Sequence, residues 1–173
     1  WLIQHINKLT QPKLGFAAAL TFACALWFGL PFFISQPSAN WSDIILAHVI
    51  GEEDSLHRTD EIASTKLAVA LKEYCLNIRG NADQLGQLGK IRYLEHCPLP
   101  GGRGLHAVID TPKDGQVTLI FPPKGTQVIA DLNEREGFYS KIIRINHTSI
   151  GIVTQERQKI ESISTHLHEK FVR

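Results

Sequence analysis

The sequence predicts an α+β body carried behind a single membrane-spanning helix, and three observations support that class. Leu14 to Ile34, LGFAAALTFACALWFGLPFFI, is a run of 21 residues without a charge. Residues 41–78 space their apolar side chains as helices do, and from Lys90 the period changes to two. The C-terminus returns to helical spacing. The expected body is therefore two helices, a mostly antiparallel sheet of about five strands and a C-terminal amphipathic helix.

At 1.5 Å per residue the apolar run spans roughly 31 Å, close to the ~30 Å hydrocarbon core of a bilayer. A buried helix of a soluble domain would be expected to show a polar face, and this run has none. A cleavable signal peptide is the other rival, given Lys8 and Lys13 upstream. Its apolar stretch would be only about 7–15 residues, and Pro37 is a poor fit to the small residue needed before cleavage near Ala39. Lys8 and Lys13 flank one end, while Ser35 to His57 carries no Lys or Arg but has Asp43, Glu52, Glu53 and Asp54. The positive-inside rule then places the N-terminus in the cytoplasm and the remainder in the periplasm of an inner-membrane protein. The expected organisation is residues 1–13 cytoplasmic, 14–34 spanning the lipid bilayer, 35–40 a linker and 41–173 a periplasmic α+β domain. The chain contains no methionine and starts at Trp1, so it is expected to be the C-terminal portion of a longer protein.

In the body, Asn40 offers an N-cap with Asp43 in the first turn, for a helix running to about Glu53. Thr59 or Asp60 is the expected cap of a second helix to about Ile78, with Leu67, Leu71, Tyr74, Cys75 and Ile78 on one face. Leu105, Ala107 and Ile109 alternate with His106 and Val108, and Val117, Leu119 and Phe121 alternate with Thr118 and Ile120. Between them, Pro112-Lys113-Asp114-Gly115 predicts a hairpin loop with Gly115 in the left-handed region, setting Ile109 beside Leu119 and Ala107 beside Phe121. A second hairpin is expected to pair Ile145 with Ile150 and Ile143 with Ile152. Ile160, Ile163, Leu167 and Phe171 mark the buried stripe of the last helix.

Charge excludes one class of partner. Of 18 Lys and Arg only Lys8 and Lys13 precede Arg58, so the body sets 16 basic against 17 acidic residues. It has no run of Lys and Arg, and nucleic-acid binding is not expected. The patterns GxSxG, GxGxxG, HExxH and the P-loop are absent, so no enzymatic activity and no cofactor are expected.

The chemically richest stretch is EHCPLPGGRGLH, residues 95–106. Cys24 lies in the apolar run, leaving Cys75 and Cys97 beyond it in an oxidising compartment. Cys97 shares a strand face with Ile91 and Tyr93, so it and Cys75 either form a disulfide across one core or stay as two buried thiols. His96, Cys97 and His106 are zinc- or copper-type ligands. Adjacent strand residues point to opposite faces, so the metal idea rests on His96 and His106, provided the strands set them opposite each other. His48 and Glu52, at i and i+4 on the first helix, are two further candidate ligands. His166 and His168 do not face one another on a helix.

The order of HVIGEE (His48 to Glu53), Cys97-Pro98, LHAVI (Leu105 to Ile109), GQVTLIFPP (Gly115 to Pro123) and a late GIV strand (Gly151 to Val153) resembles a family of single-pass membrane proteins of Gram-negative bacteria. That family is described only as a domain of unknown function, is often encoded beside extracytoplasmic-function sigma factors and is regarded as anti-sigma-like. The resemblance covers about residues 14–155, and Gly51 stands where the family's short helix has a second histidine. It implies a cytoplasmic segment before Trp1 that binds a sigma factor, and an outer domain that senses or is held by something in the periplasm. The alternative function is a periplasmic metal- or redox-binding module built on Cys75, Cys97, His96 and His106.

Overall fold

The computed structural model describes residues 40–74, 76, 87–129 and 131–171. The body from Asn40 onwards is a compact unit of its own. The predicted span at 14–34 lies outside the described residues, and no described helix is long and apolar enough to cross a membrane.

Asn40 caps helix α1 (Trp41–Gly51) as expected, its side chain accepting from the Ser42 N–H at 3.0 Å. The helix stops two residues earlier than expected, at Gly51, and Glu53–His57 follow as a 3-10 turn. Helix α2 (Ser64–Glu73) is shorter than expected at both described ends, and neither Thr59 nor Asp60 caps it. Ile62 donates its N–H to Ile91 O at 2.8 Å, and this bridge to the sheet holds the preceding residues out of the helix. Six strands follow: β1 (Lys90–Leu99), β2 (Gly102–Thr111), β3 (Gly115–Phe121), β4 (Leu132–Arg135), β5 (Phe138–Ile145) and β6 (Thr148–Thr154). Helix α3 (Lys159–Phe171) closes the chain, burying Ile160, Ile163, Leu167 and Phe171 as the spacing predicts.

All pairs are antiparallel, in the order β1-β2-β3-β6-β5-β4. The strand missing from the sequence reading is β4, LNER. It is short, polar and at the sheet edge, so it carries no apolar alternation. Glu136 and Gly137, both at positive φ (52° and 81°), turn it into β5.

Both hairpins sit two residues tighter than expected. Ile109 pairs with Val117 and Ala107 with Leu119; Ile143 pairs with Ile150 and Ile145 with Thr148. In the first, Thr111 pairs with Gly115 (φ 70°), and the Thr111 hydroxyl accepts from Asp114 N–H and donates to Gly115 O, both at 2.9 Å. In the second, only Asn146 (φ 55°) and His147 separate the strands. A slip of two preserves which face each side chain takes, so apolar alternation cannot detect it.

The sheet is covered on both faces. Helices α2 and α3 pack on one, with Leu67, Leu71, Ile163 and Phe171 against Leu105, Ala107, Ile109, Leu119, Phe121 and Ile152. Helix α1 packs on the other, with Ile45, Leu46 and Val49 against Cys97, Leu99, Ile120, Ile142 and Val153. Gly151 lets α1 come this close, since a Cβ there would collide with Ile45 Cδ1.

Candidate metal centre

The second covered face changes the reading of His106. LHAVI and VTLIF are almost continuously apolar, as strands buried on both sides are, and His106 sits on the face beneath α1 rather than in solvent. Its side chain is 0% exposed. Above it, His48 lies near the end of α1, with Glu52 one residue beyond the helix. The i, i+4 spacing turns both side chains to the same side.

The three side chains converge. Glu52 Oε2 accepts from His106 Nδ1 at 3.1 Å and lies 3.5 Å from His48 Nε2. The two imidazole rings meet edge to face with centroids 5.3 Å apart, and Tyr93 closes the far side of His106 with centroids 4.9 Å apart. One ring nitrogen of each histidine and one Glu52 oxygen all lie within 4.8 Å of one another. Around a zinc ion with bonds of about 2.0–2.1 Å, neighbouring donors stand roughly 3.3 Å apart, so both separations from Glu52 match a shared ion.

The electrostatics favour ligands over ion pairs. Burial is the first cause holding the His106 pKa below its ordinary 6.5, against the hydrogen bond it donates to Glu52 and with the help of His48. The imidazole is thus neutral near pH 7, the form that binds metals. His106 Nε2 and His48 Nε2 are buried without any hydrogen-bond partner. A buried unpaired polar atom costs about 1–3 kcal/mol, and a cation beside Glu52 would relieve that of His48 Nε2 while meeting His106 through Nδ1. The phenol of Tyr93 is pushed above its ordinary 10 by burial first and then by the Glu52 carboxylate.

The pair expected from the sequence does not form. His106 pairs across from Glu95, and His96 from Leu105, so the two histidines occupy opposite faces. His96 instead stacks on Tyr74 with centroids 6.4 Å apart, and its Nε2 lies 3.5 Å from Glu73 Oε2. Cys97 carries a free, buried thiol, and Cys75 lies outside the described residues. Nor does Cys97 share a face with Ile91. Between Ile91 and Tyr93 the register shifts, placing Arg92 as an extra residue and reversing the alternation. Ile91 therefore joins the α2 side, while Cys97 lies under α1. Burial pushes its thiol up to about 11, with the nearby Glu52 charge adding to the effect. The Asp43 and Glu53 carboxylates near the same helix take no part in the cluster.

The arrangement defines a three-layer α+β protein in which the C-terminal end of α1 and the inner strand β2 bring two imidazoles and a carboxylate together. The chain belongs to the family described as protein of unknown function (DUF3379), whose model matches residues 3–171. No curated protein and no solved structure matches the chain.

Proposed function

We propose that this protein is a single-pass inner-membrane regulator whose periplasmic body binds a divalent transition metal of the zinc class through His48, Glu52 and His106. The observation that carries the metal reading is the convergence of one nitrogen of the wholly buried His106, one nitrogen of His48 and one Glu52 oxygen within 4.8 Å, with His48 Nε2 buried and without a hydrogen-bond partner. Two nitrogens and one oxygen suit zinc better than calcium or magnesium, which prefer oxygen-only shells. Three protein ligands leave one position for water or an exchangeable ligand, unlike the four-ligand sites of structural zinc. The charge-free run Leu14–Ile34, with Lys8 and Lys13 on one side only, supports the membrane anchor and its orientation. In this reading a sigma factor is bound on the cytoplasmic side of the membrane.

The test is zinc titration calorimetry on the detergent-solubilised chain after stripping with chelator. One zinc per chain is expected, with binding weakened at least tenfold in His48→Ala and in Glu52→Gln. Zinc uptake that these variants leave unchanged would refute the site. The regulatory reading is checked by affinity purification of the full-length protein from cells grown with and without chelator. A sigma factor in the eluate supports it, and an eluate with no cytoplasmic protein refutes it.

A further inference from the structure

We infer that the metal works as a latch, fastening α1 to β2 and so keeping the α1 face of the sheet shut. This rests on the metal reading above and adds its consequence. Helix α1 lies over β4, β5 and β6. Its N-terminal half is tied there by polar contacts: the Ser42 hydroxyl donates to Asp131 O at 3.1 Å, the Ser140 hydroxyl donates to Ser42 O at 3.3 Å, and Asn133 donates to Asp43. Its C-terminal end reaches across to β2 through Glu52 and His48, where His106 donates a hydrogen bond to Glu52, and the 3-10 turn that follows accepts one from Gln116 at Leu56 O, 2.8 Å. A cation bound by all three side chains would cross-link residues 54 apart in sequence, adding a tie between the end of α1 and β2.

Cys97, on β1 and 4% exposed, belongs to the same buried cluster as Ile45, Leu46 and Val49, on the face that α1 and the 3-10 turn cover. Lifting α1 opens that cluster, so the thiol reports the state of the latch. Helix α1 is also the first element of the body after the apolar run that ends at Ile34. A metal that sets how firmly α1 is seated therefore acts on the part of the body closest in sequence to the anchor.

A ligand that binds only the closed form slows opening reactions by the factor 1 + [L]/Kd, about a hundredfold when free zinc is about 100 times Kd. The experiment measures two quantities on the 173-residue chain in detergent, with zinc and with chelator. One is amide hydrogen exchange of peptides from residues 41–52. The other is alkylation of Cys97, read by peptide mass so that Cys24 and Cys75 are counted separately. Zinc is expected to slow both together in the wild type and neither in His48→Ala or Glu52→Gln, whose thermal unfolding without metal serves as the folding control. Calorimetry on the same samples separates the two ideas. No zinc binding overturns the metal reading and the latch with it. Zinc bound one per chain, with both rates unchanged, overturns the latch alone. Protection of Cys97 without slower exchange in α1 also overturns it, since the zinc is then meeting the thiol directly.

Discussion

The seat of α1 can be tested at one glycine. In Gly151→Ala the new Cβ would collide with Ile45 Cδ1, while Ile45 Cγ1 and Cγ2 are the next atoms at 3.4 Å. Carbon atoms pack at about 3.5–4.0 Å, so roughly one ångström of movement is required. Ile45 is 0% exposed and has no solvent to swing into, and Gly151 is held between Ile120 and Ile142 of its neighbouring strands. The helix must lift or the sheet must bend, and overpacking of this kind costs about 1–3 kcal/mol. Ile45→Val removes only Cδ1, at about 0.5–1.5 kcal/mol. With Cδ1 gone, the alanine methyl meets nothing nearer than 3.4 Å, which small shifts relieve. The double variant should therefore cost about as much as Ile45→Val alone, with a coupling energy of about 1–3 kcal/mol, the full cost of the overpacking. Urea unfolding of the four proteins, followed by circular dichroism, measures it. Independent sites add to within about 0.5 kcal/mol, so additive costs would refute the packing of α1 against β6. Because α1 carries His48 and is capped by Glu52, Gly151→Ala should also weaken zinc binding, and the double variant should recover it.

Tyr74 is 6% exposed, and its hydroxyl donates to Arg103 O at 3.2 Å. Burial, then the charges of Cys97 and Glu73, push its phenol from 10.0 up to about 12, with Arg103 pulling the other way. The folded state thus holds this proton more tightly than the unfolded chain. The contribution is intact below pH 10 and is lost as the pH rises towards 12. Stability from urea unfolding should fall across that window in the wild type and fall less in Tyr74→Phe; equal slopes would contradict the burial. Phe121 is 0% exposed, pairs with Leu105 and tilts against Tyr74 with centroids 5.9 Å apart. Phe121→Ala should cost about 3–5 kcal/mol by the same measurement, and a cost below about 1 kcal/mol would mean that this face is not packed as described.

Much of the local structure was legible in the residues. Asn40 before an apolar-spaced segment marked the start of α1, Gly115 marked a turn, and the 160, 163, 167, 171 stripe marked α3. These signals depend on neighbours within a few residues, where backbone geometry and side-chain spacing act directly. The strand β4 was not legible, because an exposed edge of four residues needs no apolar face. The extent of α2 was misread because Thr59 and Asp60 are good caps, yet Ile62 is drawn to the sheet instead.

The candidate site divides along the same line. By itself the sequence determined that His48 and Glu52 share a side of one helix, since four residues make about one turn. It also determined that His96 and Cys97 point to opposite faces, because a strand alternates. Only the tertiary structure decided the partners. Hairpin registers two residues apart satisfy the same alternation, and the turn that closes with better hydrogen bonds selects between them. One extra residue at Arg92 reversed the alternation of β1 and put Cys97 under α1. Covering the sheet on both faces buried His106, which alternates with Leu105 and Ala107 along β2, opposite a side chain more than 50 residues earlier in the chain. Periodicity tells which side chains share a face, but which faces meet is settled by how the whole chain buries its apolar surface.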